Sequence, residues 1–242
     1  MKGVVLAGGL GTRLSPLTRV TNKHLLPVYD KPMIYYPILT LVDAGITDIM
    51  IVTGGNNAGD FLRLIGNGED FGLKHMNYTY QKNEGGIAEA LALTRHFVGN
   101  DKVVVMLGDN FVQESIRGAV DDFRAQPEGA KIFLKEVDHP EEFGVAVLDG
   151  DKVSEIIEKP ADPPTNYAVI GIYMYDSKVF DICDALEPSA RGELEITDVN
   201  NEYIRRGVMT YDFIKGWWAD CGSFEALLRS NNLVAREHGV EV

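Results

Sequence analysis

The sequence predicts an α/β fold in which helices cover a mostly parallel sheet. From residue 1 to about residue 137, apolar runs of strand length alternate with helical segments, as in sheets whose strands are joined by helices. Beyond residue 137 two strand-like runs flank the turn Asp149-Gly150-Asp151, which is typical of an antiparallel hairpin. With 242 residues, 45% of them hydrophobic, the chain suits one continuous domain. We expect residues 1–137 and 138–242 to form its two halves, the second more antiparallel than the first.

The elements follow one another with few long interruptions. The first predicted helix is stopped by Gly45, and Pro27 and Pro32 bracket the turn region before it. Helical patterns cover residues 33–44, 57–65, 87–98, 114–125, 178–186, 195–206 and 224–237. Apolar or alternating patterns predict strands over residues 4–7, 48–53, 76–81, 102–107, 131–137, 144–148, 152–157, 167–175 and 209–214. Ligands of such sheets bind at the carboxyl ends of parallel strands, so the loops after Ala7, Tyr80 and Leu107 are candidate sites.

Composition excludes several classes of protein. The formal net charge is −13 and the pI is near 4.8, so no basic stripe exists for nucleic acid or a membrane surface. Cys183 and Cys221 are the only cysteines, too few for a disulfide framework or a zinc site. We expect both to be buried thiols in a reducing compartment. No signal peptide or membrane span is apparent, and we expect a cytoplasmic protein.

A glycine-rich loop follows the first predicted strand. Gly8, Gly9 and Gly11 would let the backbone approach a ligand closely and turn its N–H groups toward phosphate oxygens. A Walker loop requires Gly-Lys-Ser/Thr, whereas Arg13 stands two residues after Gly11. The dinucleotide fingerprint requires a third glycine where this chain has Leu14. The remaining pattern, Gly-Gly-x-Gly-x-Arg, can wrap a nucleotide and place a guanidinium beside it.

Two cations are candidates for gripping phosphates. A lone Arg or Lys on a loop is usually a solvated surface charge, but the glycine loop favours a functional role for Arg13. Lys23 lies ten residues further on, and its spacing from the glycine loop supports a functional role less strongly. Together they could hold a triphosphate, with Arg13 forked across its oxygens and Lys23 acting as a point charge.

Two aspartates are candidate metal ligands. Asp109 follows an apolar strand and Asp220 lies in a second strand-end loop, although either alone is more often a turn or cap residue. Mg²⁺ typically takes one or two carboxylates and completes its octahedron with phosphate oxygens and water. Weaker candidates are Glu158 and Lys159, which could contact sugar hydroxyls and a sugar phosphate. Gln81 carries an amide that both donates and accepts, as pairing with a pyrimidine edge requires.

Further motifs carry a resemblance that spans nearly the whole chain. The stretches are Leu-Ala-Gly-Gly-Leu-Gly-Thr-Arg-Leu (6–14), Lys-His-Leu-Leu-Pro-Val-Tyr-Asp-Lys-Pro-Met-Ile (23–34), Leu-Gly-Asp-Asn (107–110), Phe-Gly-Val (143–145), Glu-Lys-Pro (158–160), Asn-Tyr-Ala-Val-Ile-Gly-Ile-Tyr (166–173), Ser-Ala-Arg-Gly-Glu-Leu-Glu-Ile-Thr-Asp (189–198) and Trp-Ala-Asp-Cys-Gly (218–222). With these motifs the chain resembles the sugar-1-phosphate nucleotidylyltransferases. The first two stretches together with Gly-Glu-Leu-Glu-Ile-Thr-Asp point to the thymidylyl branch of that family.

The resemblance implies a Rossmann-like core with a smaller, β-rich part that holds the sugar. The implied reaction joins dTTP and glucose 1-phosphate to give dTDP-glucose and pyrophosphate, with Mg²⁺ as cofactor, for deoxysugar synthesis such as the route to rhamnose. The implied catalytic residues are Arg13, Lys23 and Asp109, and the implied metal ligands are Asp109 and Asp220. The implied nucleotide-binding residues are Leu6, Gly8, Gly9, Gly11, Thr12, Arg13, Lys23, Gln81 and Gly86. The implied sugar-phosphate-binding residues are Asp109, Asn110, Gly144, Glu158, Lys159 and Val169.

The chain departs from the family pattern at several places. Leu10, Phe143 and Cys221 replace a small polar residue, a tyrosine and a threonine. Longer relatives carry a helical tail after the closing helix, and we expect this shorter form to lack feedback through the secondary nucleotide site that the tail helps to build. A homo-oligomer is compatible with the resemblance, and the oligomeric state stays open.

Three alternatives differ in substrate or class. UTP could replace dTTP, because one methyl contact discriminates by only about 1–3 kcal/mol. A non-catalytic sugar-nucleotide sensor could share the fold, but it would be favoured by loss of Arg13, Lys23 or either aspartate, and all four are present. A dinucleotide oxidoreductase is disfavoured by Leu14 and by the lack of an acidic residue at the matching position after a second strand.

Overall fold

Strands and helices alternate along the first half of the chain, as the sequence predicts. The computed structural model describes residues 1–242, except for the side chain of Asn56. The thirteen strands of the described backbone, β1 to β13, are Lys2–Ala7, Pro27–Val28, Lys31–Pro32, Asp48–Gly54, His75–Gln81, Val103–Leu107, Asn110–Val112, Ala130–Glu136, Gly144–Asp149, Lys152–Glu158, Tyr167–Tyr175, Met209–Phe213 and Trp218–Asp220. Its eight α-helices, α1 to α8, are Tyr35–Asp43, Ala58–Ile65, Ile87–Ala92, Arg95–Val98, Arg117–Ala125, Val179–Asp184, Ile196–Arg205 and Phe224–Glu237.

Nine of the strands form one mixed sheet that runs through both halves of the chain. Its main path has the order β10-β9-β11-β6-β1-β4-β5, and β8 pairs with both β11 and β12. The pairs β1–β6, β1–β4 and β4–β5 are parallel, whereas β11 is antiparallel to β6, β8 and β9. The predicted α/β class is confirmed, and so is the more antiparallel second half. The parallel strands therefore end at the same edge, where a ligand is expected.

Alternate residues of the central strands pack on opposite faces of the sheet. On β1, Val4 and Leu6 join one apolar cluster while Val5 and Ala7 join the other. Helices α3, α4, α6 and α7 supply the first cluster, and α1, α2 and α5 supply the second. Because helices bury both faces of the sheet, the central strands are apolar along almost their whole length.

A third, smaller cluster holds the closing helix near the site. Phe111 of β7, Ala219 of β13 and Val234 of α8 pack there with Leu14 and Val28. Strands β7 and β13 form a separate two-stranded antiparallel sheet, and β2 and β3 form another. The sequence pattern does not predict these four strands, because each spans only two or three residues and shows no measurable periodicity.

The helix predicted over residues 87–98 is a wrong prediction. It is two helices, α3 and α4, separated by residues 93 and 94. The backbone N–H and the hydroxyl of Thr94 both donate to the carbonyl of Leu91, at 2.9 and 2.7 Å. This tight closure ends α3, since a side chain that binds the local backbone competes with the helical hydrogen bond. Over the described residues, none of the helices combines the length and apolar character needed to cross a membrane.

Candidate active site

The glycine loop lies directly against the end of β4. The virtual Cβ of Gly54, the last residue of β4, would stand 2.4 Å from the carbonyl oxygen of Gly8. Gly11 has φ +64° and begins a short 3-10 turn over Thr12–Leu14. A side chain at Gly11 would also meet the Lys23 side chain at 2.8 Å. The loop therefore folds back over the carboxyl edge of the sheet. Only glycine at positions 54 and 11 permits the close approaches to Gly8 and to Lys23.

Arg13 extends from this loop toward the closing strand. A Cβ on Gly222 would lie 2.7 Å from its guanidinium Nη2 and 3.3 Å from Asp220 Oδ1. The Arg13 side chain is otherwise exposed. The guanidinium thus lies beside the Asp220–Gly222 loop and can still reach a ligand in front of it.

Lys23 and Asp109 form an ion pair that is largely removed from water. Lys23 Nζ lies 2.5 Å from Asp109 Oδ2, and the two side chains are 13% and 12% exposed. Burial acts to raise the pKa of Asp109, but the Lys23 ammonium and hydrogen bonds from Lys23 and Asn110 outweigh it and lower that pKa. Burial likewise acts to lower the pKa of Lys23, which the charge of Asp109 nevertheless raises. Both groups are therefore charged at neutral pH.

The neighbouring His24 is neutral and holds the turn that presents Lys23. Burial, together with the charge of Lys23, lowers the pKa of His24 to about 3. The side-chain oxygen of Asn22 accepts from the backbone N–H of His24 at 2.9 Å and pairs with its Nδ1 at 2.8 Å. The short helix Lys23–Leu25 is capped in this way.

Asp220 brings a second carboxylate to the same place. It ends β13, pairs with Asn110 of β7 in register, and precedes Cys221, whose N–H donates to the carbonyl of Asp109 at 3.0 Å. Burial and the nearby Asp109 raise the pKa of Asp220 to about 7. Its Oδ1 is buried and has no hydrogen-bond partner among the described residues.

This orphaned oxygen is suited to a divalent cation. A buried carboxylate oxygen without a donor is costly, and a cation would compensate for it. No group of three or more His, Cys, Asp or Glu side chains that could hold a metal occurs among the described residues. Two carboxylates with phosphate and water oxygens are, however, the usual donor set of Mg²⁺. Asp109 and Asp220 therefore offer oxygen donors of the kind that suits a divalent cation.

Asn110 ties three strands together behind this pair. Its Oδ1 accepts from the N–H of Gly171 at 3.0 Å and from Trp218 Nε1 at 2.8 Å, and its Nδ2 donates to Asp109 Oδ1 at 3.0 Å. The register of β11 shifts between Val169 and Tyr173, which leaves the Gly171 N–H for this side chain. Asn110 thus orients Asp109.

One cleft beside the ion pair contains the residues predicted to hold the base. Its volume is about 290 Å³. Gln81 is the last residue of β5, and Gly86 has φ +97° and a virtual Cβ 2.5 Å from the carbonyl of Leu194. The residues lining this cleft are Leu6, Gly8, Gly9, Lys23, His24, Gln81, Glu84, Gly86, Ile87, Ala90, Leu107, Asp109 and Glu193. Gly11, Thr12 and Arg13 are not among them.

A second cleft, of about 240 Å³, shares three wall residues, Ile87, Leu107 and Glu193, with the first. The carboxylate of Glu158 accepts from the Thr197 hydroxyl at 2.5 Å and pairs with Arg191 at 3.1 Å. Every residue predicted for the sugar phosphate except Asp109 lines this cleft, and so does Asp220. They are Asn110, Gly144, Glu158, Lys159 and Val169.

The backbone of Lys159 has an uncommon conformation. Its φ is +44°, and its N–H donates to the carbonyl of Phe143 at 3.0 Å. Positive φ is rare outside glycine and is often found at functional sites. Phe143, which replaces the tyrosine expected from the resemblance, packs edge-on against Trp218 with ring centroids 5.2 Å apart.

Sequence reasoning missed several residues that shape the two clefts. Arg191 and Thr197 contact Glu158, Glu193 lines both clefts, and Glu89 binds Gln81. Three of them lie in the motif 189–198 quoted above, which was the only available signal. No sequence motif pointed to Glu89, because its contact with Gln81 depends on the path of the loop between β5 and α3.

Comparisons with known proteins agree over nearly the whole chain. The model of the Nucleotidyl transferase family matches residues 2–237. A glucose-1-phosphate thymidylyltransferase of Neisseria meningitidis is 42% identical over 245 residues, covering 100% of this chain and 85% of the relative. A crystal structure of a Bacillus anthracis protein assigned as a glucose-1-phosphate thymidylyltransferase, in complex with sucrose, is 52% identical with a TM-score of 0.93, covering 100% of this chain and 97% of the other. A UDP-glucose pyrophosphorylase complexed with UDP-glucose is 26% identical with a TM-score of 0.84, and 98% of each chain is covered.

Proposed function

The chain belongs to the nucleotidyl transferase family, and from this premise we propose that it transfers a thymidylyl group from dTTP to glucose 1-phosphate. The products are dTDP-glucose and pyrophosphate, and the enzyme is a glucose-1-phosphate thymidylyltransferase. Relatives that bear this name align with the full chain. The observation that carries the proposal is the buried Lys23–Asp109 pair beside Asp220, between a base-sized cleft and a second polar cleft. A cytoplasmic location, where nucleoside triphosphates are made, is part of the proposal.

The first cleft is proposed to bind the nucleotide. Leu6, Gln81 and Gly86 line it and would hold the thymine. The glycine loop would wrap the triphosphate, because N–H groups of such loops point at phosphate oxygens. Thr12 and Arg13 would contact the outer phosphates from the 3-10 turn that follows Gly11.

The second cleft is proposed to bind glucose 1-phosphate. Glu158, which already accepts from Thr197 and Arg191, would accept hydrogen bonds from sugar hydroxyls. Gly144 and Val169 would border the ring. Lys159 would neutralise the sugar phosphate, while Asn110 borders that phosphate and holds Asp109 in place.

The reaction needs charge neutralisation and alignment more than a general base. An oxygen of glucose 1-phosphate, already anionic, forms a bond to the α-phosphorus of dTTP. The bond from that phosphorus to the oxygen bridging the β-phosphate breaks, and pyrophosphate leaves with the electron pair. Lys23 would stabilise the charge at the α-phosphate, and Arg13 would stabilise the departing pyrophosphate. Both cations lie near enough to Asp220 for their charges to act to lower its pKa.

A divalent cation is proposed to complete the site. Asp109 and Asp220 would hold it, and Mg²⁺ is the ion proposed, given the oxygen donors and the phosphate substrate. When bound, it neutralises phosphate charge and helps to orient the triphosphate. Asp220 contributes a carboxylate oxygen that the described protein leaves without a donor.

UTP is the second candidate for the nucleotide. The likeness to a UDP-glucose pyrophosphorylase over the whole fold favours it. Thymine and uracil differ by one methyl group, and a pocket rarely discriminates a methyl by more than about 1–3 kcal/mol. We therefore expect dTTP to be preferred and UTP to be used more slowly.

The test is pyrophosphate release by the purified protein with Mg²⁺. Five nucleotides, dTTP, UTP, CTP, ATP and GTP, are crossed with several sugar 1-phosphates, and Asp220→Asn serves as the inactive control. Release that requires both dTTP and glucose 1-phosphate supports the proposal. If every pair is silent while dTDP-glucose still binds, the chain is a sugar-nucleotide sensor and the proposal fails.

A further inference from the structure

The carboxylate of Glu89 lies behind Gln81, outside the residues that line the nucleotide cleft. Glu89 Oε2 accepts from Gln81 Nε2 at 2.6 Å and from the backbone N–H of Gly85 at 3.2 Å. Gln81 Nε2 also donates to the carbonyl of Gly86 at 3.2 Å. A Cβ on Gly85 would lie 2.4 to 2.6 Å from the Glu89 carboxyl group. Glu89 is therefore packed firmly against the loop that carries Gly86.

These contacts determine which way the Gln81 amide faces. A carboxylate and a backbone carbonyl can only accept hydrogen bonds, so the amide nitrogen has to face them. Rotating the amide by 180° would place its oxygen against two acceptors and leave a side chain that is only 8% exposed without its hydrogen bonds. A buried polar group left without its partner keeps the full cost of having lost its water, so the flipped amide is strongly disfavoured.

The amide oxygen is the atom left for a ligand, because Gln81 lines the cleft and its amide nitrogen is already engaged. Gln81 Oε1 has no hydrogen-bond partner among the described residues, and a Cβ on Gly8 would stand 2.5 Å from it. Both amide hydrogens are already engaged. Gln81 therefore presents an acceptor to the base, rather than the combined donor and acceptor that its side chain alone would suggest.

We propose that Glu89 is a positioning residue that locks the Gln81 amide with its oxygen toward the cleft and so selects pyrimidines that carry an N3–H. This proposal rests on the proposed function. Thymine and uracil donate from N3 and would pair with Gln81 Oε1. Cytosine has an unprotonated N3, which would face another acceptor, and such a repulsive contact is an efficient source of specificity. The contact does not separate dTTP from UTP.

Binding measurements test the lock without depending on turnover. Calorimetric titrations compare dTDP with dCDP on the wild type and on Glu89→Leu, Glu89→Gln and Glu69→Leu. The leucine keeps the bulk of the side chain but accepts no hydrogen bond. The glutamine can still accept from Gln81 and Gly85. Glu69 is an exposed glutamate that precedes the amino end of β5, opposite Gln81, so it is the matched control.

We expect the wild type to bind dTDP at least about tenfold more tightly than dCDP, as a buried contact of this kind typically allows. Glu89→Leu should reduce this ratio to about threefold or less, mainly by weakening dTDP binding. Glu89→Gln and Glu69→Leu should keep the wild-type ratio. In turnover, Glu89→Leu should raise KM for dTTP and leave kcat within about twofold, since Glu89 does not contact the reacting atoms.

Two results would overturn the proposal. One is wild-type protein that binds dCDP as tightly as dTDP, or that binds neither nucleotide. The other is an unchanged ratio in Glu89→Leu, or in Glu89→Met should the leucine variant fail to fold. If that unchanged ratio comes with equal weakening of both nucleotides, Glu89 only supports the loop. Selective binding without pyrophosphate release would instead leave this inference standing and defeat the proposed reaction.

Discussion

At the scale of single residues, the site is governed by three ionisable side chains that are mostly removed from water. The ammonium of Lys23 compensates the charge of the Asp109 carboxylate, with Nζ 2.5 Å from Oδ2. Asp220 lies beside this pair and has a buried oxygen without a hydrogen-bond partner among the described residues. Breaking a buried ion pair by removing one partner is strongly destabilising, because the other charge stays uncompensated. The arrangement therefore gives Lys23 a structural role in addition to the one proposed in catalysis.

Lys23→Ala should reduce kcat far more than it changes substrate affinity. Loss of one preorganised charge next to the reacting phosphate typically costs about a hundredfold or more in rate, and we expect KM to change by less than about fivefold. Steady-state pyrophosphate release gives both constants. Lys31→Ala, which breaks an exposed pair with Asp30, is the control and should alter neither. A raised KM with an unchanged kcat would show that Lys23 serves binding alone.

Neither thiol should react in the native protein. Cys183 and Cys221 are 3% and 0% exposed, and burial raises the pKa of Cys183 to about 12. Since the thiolate is the reactive form, titration with Ellman's reagent at pH 8 should label neither cysteine in the native state and both in urea. Rapid labelling of one thiol in the folded protein would contradict the packing described here.

At the scale of elements, the strand ends set the position of the glycine loop. Residues 8–11 lie on the end of β4, where the absence of a side chain at Gly54 lets the Gly8 carbonyl approach. Gly54 has φ −154°, so its backbone is extended and any residue could adopt it. Gly54 is needed because there is no room for a side chain at this position. The room is lacking because β4 pairs with β1, which brings Gly8 against Gly54.

Gly54→Ala should displace the glycine loop and weaken nucleotide binding. The added methyl would stand 2.4 Å from a backbone oxygen, a contact that the loop has to relieve by moving. We expect KM for dTTP to rise by about tenfold, the order of effect of a roughly 1.4 kcal/mol loss, with a smaller change in KM for glucose 1-phosphate.

Gly59→Ala is the matched control for this substitution. Nothing lies within 4 Å of its virtual Cβ, and the residue is within α2. Replacing glycine by alanine in a helix typically stabilises by about 0.5–1 kcal/mol. A normal KM in Gly54→Ala would mean that the loop does not depend on this contact.

At the scale of the whole molecule, one sheet carries both clefts. β1, β5 and β6 end at the first cleft, while β9, β10 and β11 border the second. The antiparallel pairing of β11 with β6 joins the two groups of strands. The overall charge of −13 opposes binding of phosphates, so the few cations at the site have to act locally.

Nucleotide binding should therefore stabilise the whole fold. A ligand at 100 times its Kd adds about 2.7 kcal/mol to the free energy of unfolding. For a chain of this size that corresponds to a rise of roughly 5–10 °C in Tm. Differential scanning fluorimetry with dTTP and Mg²⁺ measures it, with ATP and EDTA as controls. An equal rise with ATP would contradict a pyrimidine-selective cleft.

Much of the fold could be predicted from periodicity alone. The strand over residues 167–175 and the helix over residues 224–237 have the predicted bounds, because long elements carry several repeats of their pattern. The short strands β7 and β13 could not be predicted. They exist because they pair with each other, more than 100 residues apart in the chain, and because Phe111 and Ala219 pack under α8.

The sequence by itself determined the fold class, the glycine loop, the family and the residue types of the site, since these depend on local pattern and on motifs. Only the tertiary structure decided how the site residues act on one another. The pairing of Lys23 with Asp109, the unpaired oxygen of Asp220 and the fixed amide of Gln81 each join residues from separate elements. The physical reason is that charge compensation, burial and hydrogen-bond direction depend on distances in space, which spacing along the chain does not encode.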